Sequence, residues 1–295
     1  YMQYLDVHGN KMWPAKGLLI SANPQNTSLV DHDLEVDSEG NAIAAFTDIR
    51  DGNLRPYIYK ISPTGQFLWG ANGLSLTTGT MFQANPKIAV LDNGNIAVCW
   101  IVSQAPNKLG IHLISSAGVK LWGAEPILLQ DGGGAGYNYP DIVPSDSGRF
   151  IVLHTTTTGN FPAQTVKLRA QKISVTGSVV WTTPVQDLGR IAAFSVPKVI
   201  SDKSGGGIIA WHDDRDNNSI QVAYVQRVKR DGTLGFEANG FEMASVPANN
   251  QFNPVIAFNP LTEDIYSFWL ETNSTQNQHG ITGQRVTPAG VRGFG

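Results

Sequence analysis

The chain has 295 residues, of which 15% are charged and 41% hydrophobic, and its formal net charge is -3. No basic cluster stands out, which argues against a nucleic-acid partner, and no stretch reaches the roughly 20 apolar residues of a membrane span. The 31 glycines and 16 prolines favour short strands and tight turns over helices. We therefore expect an all-β protein that spans no membrane.

One short motif recurs from the first residues to the last. Its turn glycines lie 53 to 59 residues apart, at Gly9, Gly65, Gly118, Gly177, Gly232 and Gly290. The residue four positions later is always aromatic: Trp13, Trp69, Trp122, Trp181, Phe236 and Phe294. Such a period is typical of a repeat architecture.

A second motif lies half a period away from the first. Each copy has a short apolar strand, an Asp/Gly turn and a second apolar strand that ends at Phe46, Trp100, His154, Trp211 or Trp269. A variable polar loop follows, and then a third strand that alternates with period two, as in residues 224–228. The glycine motif opens a fourth strand.

Four antiparallel strands in about 55 residues, without a helical period, predict a β-propeller blade. We predict one propeller domain over residues 1–295 with five blades, and six blades as the alternative. The repeat units are approximately 30–77, 83–130, 138–187, 194–245 and 251–295, plus 1–21. Because residues 1–21 carry only third and fourth strands, we expect them to complete the last blade and close the ring.

The repeats resemble the propeller regions of secreted Gram-negative bacterial proteins that often precede sorting domains. Unit four carries the resemblance best, through Pro197, Asp202, Gly206, Trp211, Asp213, Arg215, Tyr224, Gln226, Val228 and Gly232. The resemblance covers nearly the whole chain. It implies an extracellular, periplasmic or outer-surface location, and it implies no catalytic residues.

Long, variable loops are expected on one face of such a propeller. This variable-loop face carries the loops between second and third strands, at 47–56, 102–109, 155–164, 212–219 and 271–279, together with the links between units. Variable loops on a rigid scaffold are where recognition usually occurs. We predict a glycan or protein ligand on this face, and a monomeric chain.

Two of these loops contain an Asp-x-Arg motif, Asp48 with Arg50 and Asp213 with Arg215. They can be read as a ligand site, since carboxylates and guanidinium groups bind ions and substrates. They can also be read as hairpin architecture, which we favour because the motif is duplicated. The calcium-loop pattern is not matched, so we predict no metal and no cofactor, with Ca²⁺ as the weaker alternative.

Aromatic residues occupy the links between units. The candidates for ligand contact are Phe82, Tyr137, Tyr139, Phe194 and Phe252. Stacked aromatics could bind sugar rings, whereas the competing interpretation packs them between blades. Tyr137 and Tyr139 are the leading ligand contacts.

The first strands carry alternating charges. We predict ion pairs Asp33–Lys87 and Asp141–Lys198 between neighbouring blades. A glycoside hydrolase needs two carboxyl groups about 5–9.5 Å apart, and the candidates are Asp33, Asp141, Asp213 and Glu271. Because partnered acids fit poorly, we predict no catalytic residue and a non-enzymatic binding or scaffold propeller. The alternative is a glycoside hydrolase that uses axial carboxylates.

Overall fold

The computed structural model describes residues 1–23, 31–192, 195–244 and 249–293. All named elements in these ranges are β-strands, and they form five antiparallel sheets that each take their strands in chain order. We call the sheets blades 1 to 5. This architecture confirms the predicted all-β propeller class and the count of five blades.

The five blades contain the following strands. Blade 1 contains β1 (His32–Val36), β2 (Ala42–Asp48), β3 (Arg55–Ile61) and β4 (Leu74–Ser75). Blade 2 contains β5 (Gln83–Val90), β6 (Ile96–Val102), β7 (Lys108–Ile114) and β8 (Ile127–Leu129). Blade 3 contains β9 (Gly136–Pro144), β10 (Phe150–Thr158), β11 (Thr165–Ile173) and β12 (Val179–Gln186). Blade 4 contains β13 (Lys198–Ser201), β14 (Gly207–Asp213), β15 (Val222–Val228) and β16 (Phe241–Glu242). Blade 5 has three strands, β17 (Asn250–Asn259), β18 (Asp264–Thr272) and β19 (His279–Val286).

The chain divides into two compact units, Tyr1–Leu129 and Gln130–Gly295. In the first unit, the first strands of blades 1 and 2 are neighbours, because β1 contacts β5. In the second unit, β13 contacts both β9 and β17. The first strands of successive blades therefore lie side by side within each unit. The single domain over residues 1–295 stays a prediction.

Large aromatic side chains fill the space between the sheets. Trp100 and Trp211 are the largest of the fully buried side chains, and each lies two residues before the end of the second strand of its blade. Both lie in clusters of branched apolar residues contributed by two neighbouring blades. The recurrent aromatic at this position is thus a core residue, as large apolar area at a sheet-packing position requires.

The tryptophan of the glycine motif links one blade to the next. The Trp69 indole N–H donates to the carbonyl of Ser116 over 3.2 Å, and Trp181 donates to Arg230 over the same distance. A Cβ on Gly118 would meet the Trp69 ring at 2.7 Å, and Gly118 has a φ of 84°. Glycine is therefore required twice at this turn, by its backbone conformation and by the close approach of the ring.

The N-terminal segment repeats this contact with blade 1. Its strand pairs are short, Met2 with Leu18 and Leu5 with Lys11. The Trp13 indole donates to the Pro63 carbonyl over 2.8 Å. Residues 1–21 therefore contact blade 1 as the fourth strand of a blade contacts its successor. Closure of the ring by this segment stays a prediction.

An ion pair recurs at the turn between first and second strands. Asp37 pairs with Lys60 at 2.9 Å in blade 1, and Asp202 pairs with Arg227 at 3.1 Å in blade 4. Equivalent pairs in blades 3 and 5 are Asp146–Lys172 and Asp264–Arg285. Blade 2 instead has the buried residues Leu91 and Leu113 at these positions. The sequence pattern of Asp/Gly turns gave no sign of this partner on the third strand.

Candidate functional site

The Asp-Arg loop of blade 4 is a closed set of contacts. The Asp213 carboxylate is fully buried and accepts from Trp211 Nε1 at 2.8 Å and from Gln186 Nε2 at 3.1 Å. Arg215 donates to Asp213 from Nε at 3.0 Å, and its guanidinium lies 3.3 Å above the centre of the Tyr224 ring. Both oxygens of the carboxylate are thus engaged by side chains of blades 3 and 4.

Blade 1 repeats this arrangement with different aromatic partners. Asp48 is fully buried, and Arg50 donates to it from Nε at 2.9 Å. The Arg50 guanidinium lies 3.7 Å above the Tyr57 ring and donates to the Tyr59 hydroxyl at 2.8 Å. The two loops are therefore equivalent hairpin clamps. The role of Asp48, Arg50, Asp213 and Arg215 as ligand contacts stays a prediction.

The predicted aromatic contacts have unequal exposure. Tyr137 is 3% exposed, and its ring stacks on His154 with centroids 4.1 Å apart. Burial raises the pKa of Tyr137 to about 12. Phe252 is half-buried and packs edge-on against His212, whereas Phe82 is 43% exposed. Because Tyr137 is buried within blade 3, it does not present a surface to a sugar ring.

Tyr139 has an unusual backbone. Its φ is 49°, and the equivalent residues Asn85 and Asn253 have φ values of 58° and 50°. Each precedes a proline and lies where the pairing of first and second strands shifts register. Such bulges re-aim a side chain, and non-glycine residues rarely adopt this conformation without a structural demand. Phe194, the remaining aromatic candidate, lies outside the described residues.

Asp33 lies on the first strand of blade 1 and reaches blade 2. Its Oδ2 accepts from the backbone N–H of Ile88 at 2.9 Å. The Lys87 ammonium lies 4.0 Å from Oδ1, which confirms the predicted pair Asp33–Lys87. The carboxylate thereby caps an N–H at the open edge of β5, a group that the sheet leaves unpaired.

Asp141 occupies the same register position in blade 3. Asp33 lies opposite Ala45, and Asp141 lies opposite Leu153. The Asp141 Oδ2 accepts from the backbone N–H of Val199 at 3.0 Å, in the first strand of blade 4. Its bond to the neighbouring blade is therefore made to the backbone, as for Asp33. The predicted pair with Lys198 stays a prediction.

A cavity lies beside Asp33 within the first unit. Its volume is about 340 Å³, and its lining includes Asp33, His32, Ile20 and Phe46. The lining is mainly apolar with a few polar groups, as is usual for pockets that bind small molecules. Asp33 is half-buried. The sequence reasoning missed this cavity, because Ile20, Asp33 and Phe46 are brought together only when the N-terminal segment packs on blade 1.

Glu271 and Asp213 share a structural task. Glu271 Oε2 accepts from Trp269 Nε1 at 3.4 Å, and its Oε1 accepts from Asn249 at 3.0 Å. The bond from Asn249 lowers the pKa of Glu271. In blade 2 the same indole contact is made by Gln83 to Trp100 at 2.6 Å. The indole N–H therefore requires an acceptor and not a charge, and in blade 2 an uncharged amide on the first strand supplies that acceptor.

The buried histidines are poor proton-transfer groups in this fold. His112, His154 and His212 are almost fully buried, and burial lowers the pKa of each to about 4. They are therefore neutral at pH 7. Within the described ranges, no cluster of three or more His, Cys, Asp or Glu side chains could hold a metal ion. Nor do those ranges contain a helix with the length and hydropathy needed to cross a membrane.

Comparisons with known proteins bear on the class. Neither a protein-family model nor a curated protein matches this chain. A protein of unknown function from Dyadobacter fermentans is similar in structure, with a TM-score of 0.54, 10% identity and coverage of 90% of this chain and 81% of that one. The α-L-arabinofuranosidase of Fusarium graminearum with an iminosugar inhibitor has a TM-score of 0.50, 10% identity and coverage of 88% and 77%. The α-L-arabinanase of Penicillium chrysogenum complexed with arabinobiose has a TM-score of 0.44 and 14% identity, and the match covers 70% of this chain and 65% of that one.

These relatives place the chain in the β-propeller class, and they correct one prediction. The interpretation as a non-enzymatic binding or scaffold propeller, and with it the prediction of no enzyme, is contradicted by the structural similarity to the Fusarium graminearum α-L-arabinofuranosidase, which is a glycoside hydrolase. Asp33 has a lysine and a backbone amide as neighbours and still lines a cavity.

Proposed function

We propose that the chain is a glycoside hydrolase that acts on glycans containing arabinofuranose. The observation that carries this proposal is the position of Asp33, a half-buried carboxylate on a first strand that lines a cavity of about 340 Å³. The arabinofuranosidase with the same architecture supports the choice of substrate class. A sugar residue fits a cavity of this size.

Asp33 suits one of the two carboxylate roles in glycoside hydrolysis. One carboxyl group protonates the leaving oxygen, and the other attacks the anomeric carbon or activates water. The Ile88 N–H and the Lys87 ammonium both face the Asp33 oxygens, which hold it as an acceptor. We assign Asp33 the role of nucleophile or base.

The proton donor must be a different acid. Glu271 is not suited to it, because hydrogen bonds from Asn249 and Trp269 hold it as an acceptor and its pKa is lowered. Asp141, the equivalent of Asp33 in blade 3, is also held by N–H donors, from Val199 and Ile142. Neither is therefore assigned the role of proton donor.

We also propose an extracellular or periplasmic setting and a monomeric enzyme whose glycan binds on the variable-loop face. The resemblance of unit four to secreted propellers supports the setting, through residues such as Trp211, Asp213 and Arg215. Arabinan-type polymers are too large to enter a cell intact, so their hydrolysis requires an enzyme outside the cytoplasm.

The test is hydrolysis of linear and branched arabinan by the purified chain, followed as release of reducing ends, with galactan and xylan as comparison polymers. The variant Asp33→Asn keeps an oxygen that can accept from Ile88 N–H and loses the charge. We expect its kcat to fall at least about 100-fold, while the melting temperature changes little.

The matched control is Asp231→Asn, because Asp231 is an exposed acid in the turn that follows β15. Its activity should equal that of the unchanged chain. Absence of reducing-end release from all three polymers, or full activity of Asp33→Asn, would overturn the proposal.

A further inference from the structure

Three variable loops of the second unit meet around a separate cavity of about 300 Å³. The loop between β10 and β11 contributes Phe161 and Gln164, and the link between blades 3 and 4 contributes Arg190. The loop after β14 contributes Asp214, and Gln221 lies just before β15. The strand ends hold these loops together, because Ile191 pairs with Asp213 and Arg190 with Val166.

Phe161 is the most exposed of the Phe, Tyr and Trp side chains in the described residues, with 80% of its surface accessible. The Phe161 side chain buries little apolar area in the folded chain, so the face of its ring is open to a ligand. Its ring lines the cavity rim beside Pro162 and Gln164. An exposed ring beside polar groups matches a ligand with one apolar and one polar side.

Gln221 supplies the second observation. Its side-chain oxygen Oε1 is buried and finds no hydrogen-bond donor among the described residues. The backbone of Gln221 is fully used, since its N–H donates to Asn250 Oδ1 and its carbonyl accepts from Gln251 N–H. A buried acceptor without a donor is costly, so a hydroxyl or amide from a ligand would satisfy it.

The charges around the cavity point to a neutral occupant. Asp214 is engaged within its own loop, because its two oxygens accept from the backbone N–H groups of Asn218 and Ser219. Arg190 donates from one guanidinium nitrogen to Asn217 Oδ1 at 2.9 Å and remains exposed. One cation and one anion face the cavity, which gives no net charge to attract an ionic ligand.

We propose that this cavity is a binding subsite for a neutral sugar residue, with Phe161 as the platform for the C–H face of the ring. Gln221 Oε1 accepts from a sugar hydroxyl, and the free donors of Arg190 bind ring or hydroxyl oxygens. The subsite goes beyond the proposed hydrolase function, because binding here needs no catalytic carboxylate. It would hold a glycan chain on the variable-loop face of blades 3 and 4.

The test is isothermal titration of neutral arabino-, galacto-, xylo- and gluco-oligosaccharides of four to six residues. The chain carries Asp33→Asn so that no substrate is consumed. We expect saturable binding of at least one series. Phe161→Ala should weaken it at least tenfold, and Phe161→Tyr should retain it because an aromatic ring remains.

Gln221→Met gives a second readout, because it removes the unsatisfied oxygen. It should weaken binding without lowering the melting temperature. The matched control is Leu261→Ala, which truncates an exposed side chain, 92% accessible, in the turn between β17 and β18. This control should bind as the parent does.

The result that overturns the subsite is the absence of saturable binding for all four series, or equal affinity for the parent and Phe161→Ala. This outcome is separable from failure of the hydrolase proposal. Binding without any hydrolysis by the unchanged chain would contradict the hydrolase proposal alone. Hydrolysis by the unchanged chain without binding that depends on Phe161 would contradict the subsite alone.

Discussion

Blades 2 and 4 have the same four-stranded frame and hold it with different chemistry. In blade 4 the turn between first and second strands carries the pair Asp202–Arg227, and blade 2 has Leu91 and Leu113 there. At the other end of the blade, Asp213 accepts from the Trp211 indole, and in blade 2 an uncharged glutamine does so. The frame therefore requires a filled volume and a satisfied indole, and it does not require charge.

The cross-strand partners of the two tryptophans differ in the same way. Trp211 lies opposite Tyr224, and Trp100 lies opposite Gly110. A Cβ on Gly110 would meet the Trp100 ring at 2.6 Å, so the indole covers the glycine directly. The polar residues of blade 4 that resemble an active site are thus one of two solutions to a packing problem.

The largest expected effect is loss of either tryptophan. Trp211→Ala and Trp100→Ala should each lower the free energy of unfolding by about 3–5 kcal/mol, because both side chains are fully buried. Trp211→Ala should cost more, since the donor that it removes serves a buried carboxylate, whereas Trp100 donates to an uncharged glutamine. Urea denaturation measures both, and Leu261→Ala is the exposed control. Equal stability of Trp211→Ala and the parent would disprove its core position.

A smaller effect is expected at the ion pair of blade 4. Arg227→Leu should cost about 3 kcal/mol, because it leaves the Asp202 carboxylate buried without its cation. Adding Asp202→Leu recreates the apolar pair of blade 2 and should recover part of the loss. Urea denaturation of Arg227→Leu and of the double variant gives the free energy of unfolding of each. A double variant less stable than Arg227→Leu would show that blade 4 depends on the charge in a way that blade 2 does not.

The smallest effect is a dependence on pH that both blades share. His112 and His212 each have a pKa of about 4 in the folded chain, below the ordinary value of 6.5, because burial disfavours the charged ring. Between pH 4 and 6.5 the unfolded chain binds more protons, so stability falls as pH is lowered through this window. The expected slope is up to about 1.4 kcal/mol per pH unit for each histidine.

The midpoint of urea denaturation, measured between pH 7 and 5, checks this slope. His112→Gln and His212→Gln should each lower the slope of stability against pH by up to about 1.4 kcal/mol per pH unit, because each removes one proton-binding group from the unfolded chain. The exposed His279→Gln serves as the control and should leave it unchanged. If neither variant altered the slope, the two rings would have the same pKa in the folded chain as in the unfolded chain, which would contradict the prediction.

The sequence predicted the blades, whereas the predicted ligand contacts stay predictions. The glycine motif, the aromatic ends of second strands and the five repeat units were readable because each depends on residues close together in the chain. Asp33–Lys87 was also predicted, since the two residues occupy equivalent places in successive repeats. Tyr137 and Tyr139 were the leading predicted ligand contacts, and the structure buries Tyr137 against His154.

By itself, the sequence determined the period, the strand pattern and the aromatic positions, because turn chemistry and alternation are local properties. Only the tertiary structure decided which polar groups are buried and which line a cavity. Asp33 bonds to Ile88, 55 residues away, and the cavity at Phe161 joins three loops whose residues are scattered from 161 to 221. Partners at such separations are set by the packing of blades, and no local pattern in the chain specifies them.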